Sequence, residues 1–145
     1  MKLSFEDYIT IKIHRTDLKL TNYIKSRLEP YNLAPEQNLI MMLLWEEDGL
    51  NQRQIAKKLN KDKTNIARMA SSLESKGFIT RKYSTEDRRS LELYLTTTGS
   101  ELREEIMPVT EEFNKIATKN LTSKEKEQLE HLLNKIDENF NEFPE

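Results

Sequence analysis

Apolar residues recur at helical spacing along most of this chain, with one short interval of strict alternation. In residues 4 to 28, Phe5, Ile9, Ile13, Leu20, Ile24 and Leu28 fall near one stripe, and Tyr8, Ile11 and Leu18 form a second, which predicts a single amphipathic helix. Its first half is apolar over a broader arc than its second, so burial against both its own protomer and a partner is expected there. Pro30 closes this region. A second helix opens at "LAPEQ" (33 to 37), where Pro35 suits the first helical position. The following "NLIMMLLW" is apolar nearly all round, which predicts a central helix stopped by Gly49.

Two short helices come next. In "NQRQIAKKLN" (51 to 60), Asn51 and Gln54 have capping-box spacing, and Ile55, Ala56 and Leu59 form the inner face. The next helix starts near Asp62, which can cap its free N–H groups. Ile66, Met69, Ala70 and Leu73 give it an apolar face, and Gly77 ends it. About three residues separate the pair, the spacing of a helix-turn-helix. The period then switches to two. "FITRKYS" and "LELYLT" alternate around the charged tip "TEDRRS", which predicts a β-hairpin placed as a wing.

Thr96 caps another long helix, in which Leu102, Ile106, Val109, Phe113 and Ile116 make a seam that Pro108 interrupts and should kink. "LTSKE" opens the last helix with Thr122 and Glu125 as a capping box; Leu129, Leu132, Leu133, Ile136, Phe140 and Phe143 continue a seam. The expected fold is mainly α with a small β-wing. A winged helix-turn-helix lobe would cover 33–96, and residues 1–32 and 97–145 would form a helical dimerisation lobe of the same protomer.

Composition changes this picture in two ways. Only 36% of the 145 residues are hydrophobic and 33% are charged, which leaves the terminal helices few internal partners. A homodimer is therefore expected, with Phe5, Ile9, Phe113, Ile116, Leu129, Leu133, Ile136 and Phe140 at its contact. The net charge of −2 conceals a segregation: residues 51 to 92 hold eleven Lys/Arg against five Asp/Glu, and the remainder holds twelve against twenty. A basic middle between acidic flanks is the footprint of a nucleic-acid partner. No apolar run approaches the ~20 residues of a membrane span. The start of the chain has no basic region followed by an apolar run, and there is no cysteine, so a cytoplasmic protein without disulfides or thiolate metal sites is expected.

Catalytic chemistry finds no foothold. The two histidines, His14 and His131, lie on distant helices, and the glycines at 49, 77 and 99 make no phosphate-binding loop. Paired acids such as Glu104/Glu105 and Glu111/Glu112 read as solvated helix surface. No motif has metal-ligand spacing, so no metal and no cofactor is expected. A metal-responsive regulator and a winged helix used for protein or RNA contact are the weaker alternatives. Neither accounts for a basic helix-turn-helix as well as DNA does.

Four signatures occur in order. Asp87, Arg89, Leu95 and Thr96 fit the pattern Asp, any residue, Arg, five residues, Leu-Thr. "LAPEQ", the stretch "GLNQRQIAKKLNKDKTNIARMASSLESKGFITR" and "LTTTGSEL" accompany it. Together they resemble the MarR family of winged-helix transcriptional regulators, from about residue 8 to residue 140. The resemblance implies a dimer on pseudo-palindromic double-stranded DNA, most simply a repressor released by a small-molecule effector. The helix beginning near Asp62 would lie in the major groove, with Arg68 pairing guanine and Asn65 pairing adenine. Lys63, Thr64 and Ser71 would fix register. Arg89, positioned by Asp87 and neighboured by Arg88, would reach the minor groove, while Arg53, Arg81 and Lys82 flank phosphates. The resemblance also implies a pocket for an aromatic or phenolic anion; His14, Arg15, Met42 and Trp45 are its candidate lining. Three departures matter. Ala34 replaces the usual capping threonine, at a cost of about 1 kcal/mol. Ala67 stands where a threonine is frequent, which removes one potential DNA contact. Without cysteine, the family's peroxide-sensing thiol has no counterpart.

Overall fold

The computed structural model describes residues 2–141, so Phe143 lies outside the described residues. Its elements follow the order read from the sequence, with one change at the start. Residues 4 to 28 are not one helix. A 3-10 turn, Phe5–Asp7, is separated from α1, Ile9–Leu28, by Tyr8 in an extended conformation. The cause is local: the Asp7 carboxylate accepts from Ser4 N (3.1 Å) and Ser4 Oγ (2.9 Å), closing the first turn on itself.

The chain divides into two compact units, one ending at Thr110 and the next beginning at Glu111. The first contains α1, a 3-10 turn Glu29–Tyr31, α2 (Pro35–Glu46), α3 (Gln52–Leu59), α4 (Lys63–Ser75), β1 (Ile79–Tyr83), β2 (Leu91–Leu95) and the opening turns of α5 (Thr97–Ala117). Leu28, Ile40, Met41, Leu44, Ile55, Ile66, Leu73, Ile79, Leu93 and Ile106 are fully buried, so each of these helices and strands contributes to a single core.

Two burial expectations are corrected. Within the chain α1 is buried only at its C-terminal end, at Ile24 and Leu28, while Ile9, Ile13, Leu18 and Leu20 in its earlier turns stay exposed. The intrachain half of the two-sided burial is thus missing. Helix α2 is not covered all round either: Ile40, Met41 and Leu44 are core, but Leu39 and Met42 face out. Its start lacks a capping hydroxyl, as Ala34 implies. Gln37 supplies half of a capping box, its Oε1 accepting from Ala34 N at 3.3 Å.

Local chemistry fixes the remaining boundaries. Asn51 Oδ1 accepts from Gln54 N (2.8 Å) and Gln54 Oε1 from Asn51 N (2.9 Å), the full reciprocal cap of α3. Asn60, in the left-handed region at φ 55°, ends that helix, with Lys61 N bonded back to Ala56 O and Asn60 N to Lys57 O. Gly77 at φ 83° ends α4 in the same way, Phe78 N returning to Leu73 O and Gly77 N to Glu74 O. β1 and β2 pair antiparallel with Ile79 opposite Leu95 and Tyr83 opposite Leu91. Leu50 and Asn51 add a short bridge to the outer side of β2, through Leu93 N to Leu50 O and the pairing of Asn51 with Glu92. Thr96 caps α5, accepting from Gly99 N at 3.0 Å and donating to Gly77 O at 2.6 Å. The helix runs on through Pro108.

In the second unit α5 ends at Ala117, and α6 spans Ser123–Glu138 behind the Thr122–Glu125 capping box. No residue of α6 is buried within the chain: Leu129, Leu132 and Leu133 are exposed and Ile136 is half-buried. Ile116 is exposed and Phe113 half-buried. The apolar positions of the α6 seam, Leu129, Leu132 and Leu133, form an exposed face of that helix.

Candidate nucleic-acid interface

Helix α4 separates its chemistry cleanly by face. Ile66, Met69, Ala70 and Leu73 are buried, and Lys63, Thr64, Arg68 and Ser71 are exposed. A row of hydrogen bonds organises the N-terminal part of the outer face. Asp62 Oδ1 accepts from Asn65 N (2.8 Å), which caps the helix, while Asn65 Nδ2 donates to Asp62 Oδ2 (3.1 Å). The Arg68 guanidinium donates to Asn65 Oδ1. Asn65 and Arg68 are therefore one unit rather than two independent readers. Arg68 keeps four of its five N–H donors for another acceptor.

The wing loop is built on hydroxyl and carboxylate turns. Ser84 Oγ accepts from Glu86 N (3.2 Å) and Asp87 N (3.3 Å), and Ser84 N donates to Ser90 O (2.8 Å). Asp87 Oδ1 accepts from Arg89 N at 3.0 Å, and Asp87 O accepts from Ser90 N at 2.9 Å. Asp87 thus places Arg89 through its backbone, as an Asx turn. Arg88 and Arg89 are both exposed.

Arg53, Lys63 and Arg89, from α3, α4 and the wing, line one cleft of about 120 Å³ together with Gln52 and Ser90. Arg53 and Lys63, cations from two helices around one small cleft, suit a phosphodiester oxygen. A neighbouring cleft that shares Asn51 and Ser90 with it has the opposite sign, lined by Glu47, Asp48, Glu86, Asp87 and Glu92. The basic middle of the sequence is therefore a basic face with an acidic border.

Arg81 and Lys82 are tied into the fold. Arg81 meets Glu74 by its backbone N (3.0 Å), Nε (3.3 Å) and Nη2 (3.1 Å), and reaches Gln52 Oε1 at 3.4 Å. It links α4, β1 and α3, and Glu74 already offsets its charge. Lys82 Nζ stands 5.6 Å from the centre of the Tyr94 ring. Tyr94 Oη donates to Glu92 Oε1 at 3.0 Å, and this bond, with some desolvation and the charges of Glu92 and Asp48, pushes the phenol above its usual pKa. Folding favours the neutral phenol, so the contribution is fully present below pH ~10 and is lost as pH rises through the raised value. Stability should decline on the alkaline side of pH ~10, and Tyr94→Phe should remove that component, as measured by urea unfolding across alkaline pH. An unchanged alkaline slope in Tyr94→Phe would reject this account.

The candidate effector residues are not gathered together. His14 and Arg15 are exposed on α1. Arg15 pairs with Glu6 at 3.3 Å and lines a cleft of about 190 Å³ with Phe5, Tyr8, Lys12 and Lys19. Met42 lies on the open side of α2, its sulfur 3.6 Å from Asn38 Nδ2, and Asn38 Oδ1 is buried with no hydrogen-bond partner. Trp45 Nε1 donates to Gly99 O at 2.9 Å, so the indole helps to hold the start of α5. Among the described residues no group of three or more His, Asp or Glu is placed to hold a metal ion, and no helix is long and apolar enough to cross a membrane. Gln37, Lys76 and Gly99 have structural roles that spacing arguments did not reveal. A glycine inside the first turn of an otherwise good helix was the one available signal, at Gly99.

Comparison with known proteins places this geometry. A family model described as MarR family matches residues 33–91. The organic hydroperoxide resistance transcriptional regulator of Bacillus subtilis (strain 168) is 29% identical over 107 residues, covering 74% of this chain and 73% of that protein. The transcriptional repressor MprA of Escherichia coli (strain K12) is 33% identical over 98 residues, 68% of this chain and 56% of the relative. Among solved structures, a MarR family regulator from Listeria monocytogenes complexed with 26mer DNA superposes with a TM-score of 0.81 at 26% identity, covering 97% of this chain and 90% of that one.

Proposed function

The chain belongs to the MarR family of DNA-binding transcriptional regulators and is not an enzyme, and from that premise we propose that it works as a homodimer on a pseudo-palindromic operator. Each copy would set α4 into a major groove, the two helices about one DNA turn, ~34 Å, apart. The observation that carries this reading is the Asp62–Asn65–Arg68 row on the outer face of a helix whose inner face is core. Arg68 would read guanine, with Asn65 holding its guanidinium or meeting adenine beside it. Lys63, Thr64 and Ser71 would set register, and Arg53 with Lys63 would seat a backbone phosphate in the cleft at the wing root. Arg88 and Arg89 would enter the minor groove from the wing. Arg81 serves mainly to hold α3, α4 and β1 together.

Pairing would use the exposed apolar side chains of the N-terminal segment, Phe5 and Ile9. In the second unit it would use Phe113, Ile116, Leu129, Leu133, Ile136 and Phe140. Repression is the simplest output, in line with the Escherichia coli relative, a transcriptional repressor. Release would come from a small aromatic or phenolic anion binding one DNA-affinity state better than the other. The unpartnered Asn38 oxygen beside Met42 would accept a hydrogen bond from a phenolic hydroxyl. Without cysteine the switch cannot be a thiol.

Selection of sites from a random duplex DNA pool tests the proposal. An enriched inverted repeat with half-sites about one turn apart supports it. No enrichment, with binding that vanishes at moderate salt, would overturn it in favour of protein or RNA contact. A related expectation concerns phosphates. Arg53→Ala should weaken selected and scrambled duplexes alike and lower the salt slope by about 1, read from affinity against salt concentration. A loss confined to the selected duplex would contradict the phosphate role.

A further inference from the structure

The far end of α4 carries partly buried polar contacts that make no use of its outward-facing side chains. Lys76, which follows the last residue of α4, sends its ammonium back to Asn32 O (2.8 Å) and Gln37 Oε1 (2.7 Å). Gln37 Nε2 in turn donates to Ser72 Oγ on α4 at 3.0 Å. Gln37 is buried, and its oxygen also accepts from Ala34 N. Asn32 is the left-handed residue, φ 58°, that turns the chain from the end of α1 towards α2. Lys76 and Gln37 therefore join three points: the exit of α1, the first turn of α2 and the exit of α4.

Apolar contacts hold α4 against the core through Ile66, Met69, Ala70 and Leu73, but such contacts are non-directional. They resist lifting the helix off the core more than rotating it or sliding it along its axis. Hydrogen bonds to an ammonium are directional and stronger than neutral ones. Burial pushes the Lys76 pKa below its usual value by desolvating the ammonium. Recognition of base edges needs its side chains placed to within about 0.5 Å. A small rotation of α4 would misplace Arg68 and Asn65 together.

We propose that Gln37 and Lys76 are positioning residues for DNA recognition, a polar clasp that fixes α4 against the α1–α2 corner so that its outer face enters the groove in register. The clasp rests on the DNA-recognition reading above. It also gives a route by which displacement of α1 reaches α4, since the Asn32 carbonyl is one of its three anchors.

Lys76→Met keeps the aliphatic stem and removes both contacts. Its affinity for the duplex enriched from the random pool should fall roughly tenfold, with scrambled-duplex affinity and salt slope unchanged. Gln37→Leu should give the same selective loss, the double variant should be no worse than either single one, and Lys76→Arg should retain affinity. Circular dichroism at the assay temperature verifies that each variant is folded. Two results overturn the clasp alone. If Lys76→Met weakens both duplexes equally and lowers the salt slope by about 1, Lys76 is a direct phosphate contact. If the variants lower Tm while the ratio of selected to scrambled affinity stays at the wild-type value, the contacts only stabilise the fold. A wild-type chain that enriches no sequence is a distinct outcome, which overturns the DNA-recognition reading and the clasp with it.

Discussion

Gly99→Ala should destabilise the protein by about 3 kcal/mol, the upper part of the range for overpacking a tight site. A Cβ on Gly99 would stand 2.0 Å from the Phe78 carbonyl oxygen and 2.9 Å from its carbon. Both are backbone atoms, so no flexible side chain can give way. Gly99 is helical and has no positive φ, and alanine there would gain about 1 kcal/mol of helix propensity. The clash outweighs that gain because the neighbouring contacts fix both sides. Thr96 N donates to Phe78 O at 3.1 Å, and Trp45 Nε1 donates to Gly99 O at 2.9 Å. Moving α5 away from Phe78 strains the first and breaks the second. For a chain of this length a loss of 3 kcal/mol lowers Tm by roughly 10 °C, which calorimetry would read directly. A Tm within about 2 °C of wild type would mean that α5 and Phe78 can separate freely, and the close approach would not be a constraint.

The second large effect concerns recognition. Arg68→Ala should cost about 1–3 kcal/mol on the preferred duplex, some fivefold to 150-fold in affinity, with relaxed sequence preference at one position of each half-site. Asn65→Ala should cost a similar amount. The pair should be strongly non-additive, because Asn65 Oδ1 accepts from the Arg68 guanidinium and removing either frees the other. Fluorescence anisotropy with selected and scrambled duplexes measures the cycle. Equal weakening of both duplexes by Arg68→Ala would reject the readout role, and additive losses would reject the coupling. The Asp62 carboxylate sits at the end of the same row and also caps the helix, so its substitution would mix stability with recognition and is the poorer probe.

Much of the protein is legible in its sequence. The capping pairs Asn51/Gln54 and Thr122/Glu125, the Asp62 cap and the Gly77 stop are local, and the structure has each where its spacing placed it. The hairpin was legible because strict alternation over "FITRKYS" and "LELYLT" has only one pleated solution. Where local signals competed, spacing misled. The Ser4–Asp7 turn broke a helix that apolar periodicity had joined, since a carboxylate three residues on can close a turn as well as continue a helix. Apolar content around α2 and along early α1 marked surfaces that leave the core, and periodicity does not say what covers a face.

The sequence by itself determined the elements, their order, the basic helix-turn-helix and its wing, because caps, stops and periods act within a few residues along the chain. Tertiary structure alone decided which charges remain available. It tied Arg81 to Glu74, joined Arg68 to Asn65, and brought Arg53, Lys63 and Arg89 to one cleft. It also revealed the Lys76–Gln37 clasp and the contact that demands Gly99. Each of these joins residues through distance and direction between separate elements or between side chains on one face. Ion pairs, hydrogen bonds and steric overlap depend on angstroms that residue types and spacing do not encode.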